Sequence, residues 1–96
     1  MPKAKHVHPA AVRFGAIIRR LRLSRGWTLA KCAQRTGMNP TYLGVLEKGG
    51  NMPSLQTLLE LADVFNVEAA EMVREVEQAQ KPAARSEEDG NAAEPR

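Results

Sequence analysis

Residues 39–48 hold the part of the chain whose residue types and spacing suit chemical recognition. Thr41, Gly44, Val45 and Lys48 recur at i, i+3, i+4 and i+7, one stripe of a helix, with Asn39 and Pro40 at its leading end and Leu43 and Leu46 on the opposite side. A stripe that only meets water normally carries more charge than Thr, Gly and Val. A surface that enters a nucleic-acid groove needs small groups that permit close approach. Thr41 can donate or accept at a base edge, and its methyl or Val45 can touch a thymine methyl. The plain alternative is a short polar face lying in water. Catalysis is not expected: the first half of the chain holds one acid, Glu47, and no metal-ligand cluster, Ser/His/Asp set or paired carboxylates, while the acids of the other half fall on surface faces or in the tail. No cofactor or metal is implied.

The charge is distributed to suit a polyanionic partner. Positions 1–48 carry ten Lys/Arg against Glu47, a net of +9, whereas positions 49–96 net −6, for an overall +3. Ninety-six residues that are 43% hydrophobic make at most one small domain, and only four aromatics (Phe14, Trp27, Tyr42, Phe65) imply an aliphatic, helical core. The single cysteine, Cys32, excludes an intramolecular disulfide framework and a paired-cysteine zinc site, and fits a reducing setting. No apolar run approaches the ~20 residues that span a bilayer, and Met1 to Pro9 lacks an apolar export segment. A cytoplasmic protein with no membrane partner is expected.

Five helices would position the stripe. Phe14, Ile17, Ile18 and Leu21 define helix 1 over 10–25, ended by Gly26, with Trp27 as a plug for the core. Thr28 caps a short helix over 28–36 whose inner residues are Leu29, Cys32, Ala33 and Thr36 and which stops at Gly37. Asn39 caps helix 3, and Pro40 takes its first position, over 40–47. Lys48 to Pro53 cannot remain helical. Ser54 caps helix 4, whose Leu55, Leu58, Leu59, Ala62 and Phe65 give a broad apolar face read as core. Helix 5, with Ala69, Met72, Val73 and Val76, runs to about Gln78. Helices 2 and 3 around a glycine turn make a helix-turn-helix.

Ile18-Arg19-x-x-Arg22-x-x-x-Gly26-x-Thr28-Leu29-x-x-x-Ala33, then Gly37-Met38-Asn39-Pro40-x-Tyr42-Leu43-x-x-Leu46-Glu47-Lys48-Gly49, then Pro53-Ser54-Leu55-x-Thr57-Leu58 through Leu61-Ala62, resembles the Cro and lambda-repressor type of helix-turn-helix. The likeness covers about residues 12–78. It implies an all-α, five-helix DNA-binding domain whose third helix reads the major groove of double-stranded DNA, commonly as a homodimer on a palindromic operator, in a transcriptional regulator, repressor or autoregulator. It puts Thr28 and Lys48 at phosphate-contact positions, Asn39, Pro40, Thr41, Gly44 and Val45 at base-reading positions, and Tyr42 within reach of the backbone. It also pairs Arg22 with Glu47 as a structural ion pair between helices 1 and 3. Two departures bear on the site. Leu29 stands where many members carry a phosphate-binding Gln, and Lys31 replaces the acid of a capping box, which makes Lys31 a candidate for phosphate instead. Pro40 and Gly44 bring no side-chain hydrogen bonds, so DNA shape, the loop Gly49 to Met52 with Asn51, and the N-terminal arm are expected to share in specificity.

Around this core, residues 1–11 read as a flexible basic arm, with Lys3, Lys5, His6 and His8, for which minor-groove entry is the alternative to a mobile terminus. Residues 79–96 read as a disordered tail. Arg13, Arg20 and Lys31 are expected to add counterion release, Cys32 to be a core residue, and part of the Met72, Val73 and Val76 stripe to serve as core or dimer surface. The competing function on the same fold is a protein-binding one, an antitoxin with a toxin partner or an adaptor.

Overall fold

The computed structural model describes residues 8–80. Within them lie five α-helices and no strand: α1 Pro9–Ser24, α2 Leu29–Thr36, α3 Pro40–Glu47, α4 Leu55–Phe65 and α5 Ala69–Gln80. The expected caps form. Thr28 Oγ1 accepts from the Lys31 amide at 3.0 Å, Asn39 Oδ1 from the Thr41 and Tyr42 amides at 2.7 and 3.3 Å, and Ser54 Oγ from the Thr57 amide at 3.1 Å. Each satisfies a helix-end donor that would otherwise have no partner within the helix. Gly37 ends α2 at φ 76°, a left-handed conformation that a side chain would resist, and so turns the chain from α2 into α3 within three residues.

α1 lies between α3 and α5, while α2 packs on α3 and α4, and α4 on α5. Ile18, Cys32, Leu43, Leu46, Leu61 and Phe65 are fully buried at the centre. Each large apolar side chain so enclosed contributes about 1.5–3 kcal/mol over an exposed one. Trp27 is half-buried and stacks on Phe65 with ring centroids 5.6 Å apart, so it plugs the core from one side only.

Four boundaries and faces differ from the expectation. α1 starts at Pro9, capped by His8 Nδ1, which accepts from the Ala10 amide at 3.1 Å; Ala11 is buried, so residues 9–11 belong to the helix and not to the arm. α5 continues through Gln80, which takes residues 79 and 80 out of the tail. On α4 the inner stripe is Leu58, Leu61, Ala62 and Phe65, while Leu55 and Leu59 point outward. α4 offers two apolar stripes that share Leu58, Ala62 and Phe65, and the one that turns in is the one that buries Leu61. On α5 Met72 is buried and Val76 partly so, but Val73 is exposed. The remaining arm residues, 1–7 with Lys3, Lys5 and His6, and the tail from 81 to 96 lie outside the described residues. No described helix is long and apolar enough to cross a membrane.

Candidate nucleic-acid interface

α3 is the shortest route from sequence to site. Leu43 and Leu46 anchor it in the core, which turns Thr41 and Lys48 to solvent and leaves Gly44 and Val45 half-exposed between them. Asn39 and Pro40 are exposed at its leading end. Because Asn39 Oδ1 is taken by two backbone amides, the Asn39 side chain has its NH2 group left to offer outward. Thr28 is in the same position: its oxygen caps α2 and its hydroxyl proton stays available. The first amides of α2, at Leu29 and Ala30, have no acceptor within the helix, and the positive end of the helix dipole adds to their pull on an anion.

Two contacts join these groups into one surface. A Cβ placed on Gly44 would lie 3.4 Å from Leu29 Cδ2, so Leu29 rests against the middle of α3 and brings the start of α2, with Thr28 and the exposed Lys31, alongside the α3 stripe. Val45 leans the other way. A Cβ on Gly50 would meet Val45 Cγ1 at 2.9 Å, which shows the valine folded back over the loop after α3. Tyr42 packs its ring on the core and is half-buried, while Asn51 is exposed in that loop.

The scaffold behind the surface is an ion pair. Arg22 Nε and Nη2 donate to the two carboxylate oxygens of Glu47 at 2.6 and 3.0 Å, and Arg22 Nη1 donates to the Trp27 carbonyl at 2.9 Å. Arg22 is 8% exposed, and the bond to Glu47 holds its guanidinium charged above the ordinary arginine range. The pair ties the end of α1 to the last turn of α3 and to the segment entering α2, so it fixes the orientation of the stripe. Gly15 permits the approach: a Cβ there would fall 2.2 Å from the Leu46 carbonyl oxygen.

Of the other basic residues, Arg20, Arg25 and Arg35 have partners within the domain. Arg20 donates to both oxygens of Glu75 on α5 at 2.9 and 3.3 Å, and this bond lowers the Glu75 carboxyl below its ordinary value. Arg13 lies on the same side of α1, with its Nε buried. Arg25 donates to the Phe65 carbonyl and covers its ring, and Arg35 covers Trp27 at 5.1 Å from the ring centroid. The clue to the Arg20 pair available in the sequence was the acidic stripe Glu68, Glu71 and Glu75. No group of three or more His, Cys, Asp or Glu able to hold a metal occurs among the described residues.

The arrangement is a small-residue stripe, flanked by hydroxyl, amide and ammonium donors, on a rigid helical base. Comparison with known proteins agrees in fold and in sequence. The helix-turn-helix family HTH_3 matches residues 18–72. The HTH-type transcriptional regulator SutR of Escherichia coli (strain K12) is 36% identical over 50 residues, which are 52% of this chain and 28% of that protein. The uncharacterized HTH-type transcriptional regulator YazB of Bacillus subtilis (strain 168) is 34% identical over 59 residues, 62% of this chain and 86% of that one. The chain thus spans less than a third of SutR but most of YazB. Among solved structures, the restriction-modification controller protein C.AhdI of Aeromonas hydrophila superposes with a TM-score of 0.64 at 31% identity, covering 68% of this chain and 98% of that one. The clp gene regulator ClgR of Corynebacterium glutamicum does so with a TM-score of 0.67 at 25% identity, covering 74% and 92%. With α2 and α3 forming the matched motif, the chain belongs to the HTH_3 helix-turn-helix family, as a DNA-binding domain of the Cro and lambda-repressor type.

Proposed function

We propose that this chain is a transcriptional repressor that binds double-stranded DNA in a sequence-specific manner, with α3 in the major groove, as a homodimer on a palindromic operator. The observation that carries the reading is the α3 stripe itself: exposed, lightly charged, and bordered by the unsatisfied amides at the start of α2. In this reading the Thr28 hydroxyl, the Leu29 and Ala30 amides, Lys31, Lys48 and Tyr42 hold phosphates and fix the register. Thr41, the Asn39 amide and Asn51 address base edges, and Pro40, Gly44 and Val45 supply close apolar contact. Few side chains can make direct hydrogen bonds to bases, so the deformability of the operator carries part of the selectivity. Repression is the outcome of this reading where the operator overlaps a promoter, because a bound domain there excludes polymerase.

The test is selection of bound fragments from a random duplex pool at ~150 mM salt, where the Debye length is about 8 Å and loose electrostatic binding is suppressed. A two-fold symmetric site with half-sites about one helical turn apart is expected; no enrichment above background would refute the proposal. On the selected site, Thr41→Ala should weaken binding by about 1 kcal/mol or more while leaving the fold intact. Unchanged affinity would place another element in the groove.

A further inference from the structure

At the start of α2 a large apolar side chain stands among exposed neighbours, Thr28, Ala30 and Lys31. Leu29 packs against the rim of the core and stays half-buried. Among the described residues its Cδ2 is the atom of another element nearest to a Cβ built on Gly44, at 3.4 Å. Gly44 lies in the middle of the exposed stripe of α3, with Thr41 about a turn before it and Lys48 about a turn after, while Val45 leans away over Gly50. The part of Leu29 that the core leaves uncovered thus joins the stripe at the point where α3 has no side chain of its own. Base edges in the major groove present polar atoms and one apolar group, the methyl on C5 of a pyrimidine. An apolar side chain set against the polar atoms would strip them of water and return no hydrogen bond, which opposes binding. Set against the methyl it favours binding, because both groups leave water together.

We propose that Leu29 is a specificity-determining residue: with Gly44 it forms an apolar seat for the C5 methyl of one pyrimidine in each half-site, so that the domain prefers thymine or 5-methylcytosine there to the same base without its methyl. The inference rests on the operator-binding reading above, and adds to it a residue of α2 and a chemical criterion that the side chains of α3 do not set by themselves. Each partner has a separate task. The glycine leaves room for the methyl to approach the α3 backbone, and the leucine supplies the apolar area that takes it out of water. The placement agrees with the phosphate contacts as well. The C5 methyl lies toward its own strand, away from the centre of the base pair, and the Leu29 and Ala30 amides hold the start of α2 against a strand. Thymine and 5-methylcytosine carry the same methyl, so methylation of a cytosine in the operator becomes a signal that this domain senses directly.

The test is a methyl scan of the operator selected from the random pool, with the full chain. Each thymine is replaced in turn by deoxyuridine, which lacks the methyl and keeps every hydrogen-bonding group, and each cytosine by 5-methylcytosine. One position in each half-site should respond, by about 4-fold in affinity for one methyl and about 15-fold when both half-sites are changed. Leu29→Ala and Gly44→Ala should each bring the ratio of affinities for the methylated and unmethylated duplexes at that position close to one. Both duplexes are titrated with the same preparation, so a variant that is partly unfolded still reports the ratio. Lys31→Ala, which weakens binding to either duplex, should leave the ratio at its wild-type value. An operator indifferent to every C5 methyl would overturn the assignment. So would a ratio that survives Leu29→Ala or Gly44→Ala, since another residue would then read the methyl. A chain that enriches no duplex refutes the operator reading and this assignment together, whereas an enriched operator without a methyl response refutes this assignment alone.

Discussion

Removing the Glu47 carboxylate would leave the Arg22 guanidinium enclosed, with the Trp27 carbonyl as its remaining partner. An almost buried charge stripped of its counter-charge costs about 3 kcal/mol, so Glu47→Ala should lower the melting temperature by more than ~10 °C in a domain of this size. Thermal unfolding followed by circular dichroism checks this, and a shift of a degree or two would mean that the pair holds nothing. Cys32 lies a helix away in the same interior. It is fully buried, and burial above all, with the Glu47 charge second, pushes its thiol up. A thiol raised on folding favours the folded chain below the ordinary thiol value, and that contribution fades as pH rises through it. Alkylation at mildly alkaline pH should therefore be at least ~100-fold slower in the native protein than in urea. Equal rates would show that the cysteine is reachable without unfolding.

At the scale of elements, the crossing of α1 over α3 depends on one missing side chain. Gly15→Ala would drive a methyl into the Leu46 and Glu47 carbonyls, which are backbone and cannot swing aside. Separating the helices would also pull Arg22 from Glu47, so a loss of about 1–3 kcal/mol is expected from overpacking alone, read by urea denaturation. Gly44→Ala makes the contrast. Its methyl would meet the Leu29 side chain at ordinary contact distance, so stability should hold while the groove-facing surface gains a methyl and operator preference shifts. If the two substitutions cost the same stability, the close approach of α1 to α3 is not what the geometry shows.

For the whole molecule, the basic first half divides its charges between two tasks. Arg20 is bound to Glu75, Arg22 to Glu47, and Arg25 and Arg35 cover aromatic rings, while Lys31 and Lys48 stand exposed beside the α3 stripe. Affinity for DNA should fall with salt with a slope of about −0.9 for each phosphate neutralised. Lys31→Ala and Lys48→Ala should each make that slope shallower by about 0.9 per half-site, and Arg20→Ala should leave it unchanged. Binding isotherms over a salt series decide it, and an Arg20 effect as large as that of Lys31 would return α1 to the DNA-facing surface.

The amino-acid sequence by itself determined the helices, their caps and the motif. Thr28, Asn39 and Ser54 act on amides two or three residues ahead, Gly37 acts on its own backbone, and the Leu43 and Leu46 spacing orients α3, all through local geometry. Such interactions are written within a few positions of each other. The tertiary structure alone decided what depends on distant partners. It chose between the two apolar stripes of α4 and turned Leu55 and Leu59 outward, withdrew Arg20 to Glu75 across 55 positions of chain, and laid Leu29 against Gly44. A side chain able to serve either of two neighbours is assigned by packing, because the energies compared are those of whole faces buried or left in water.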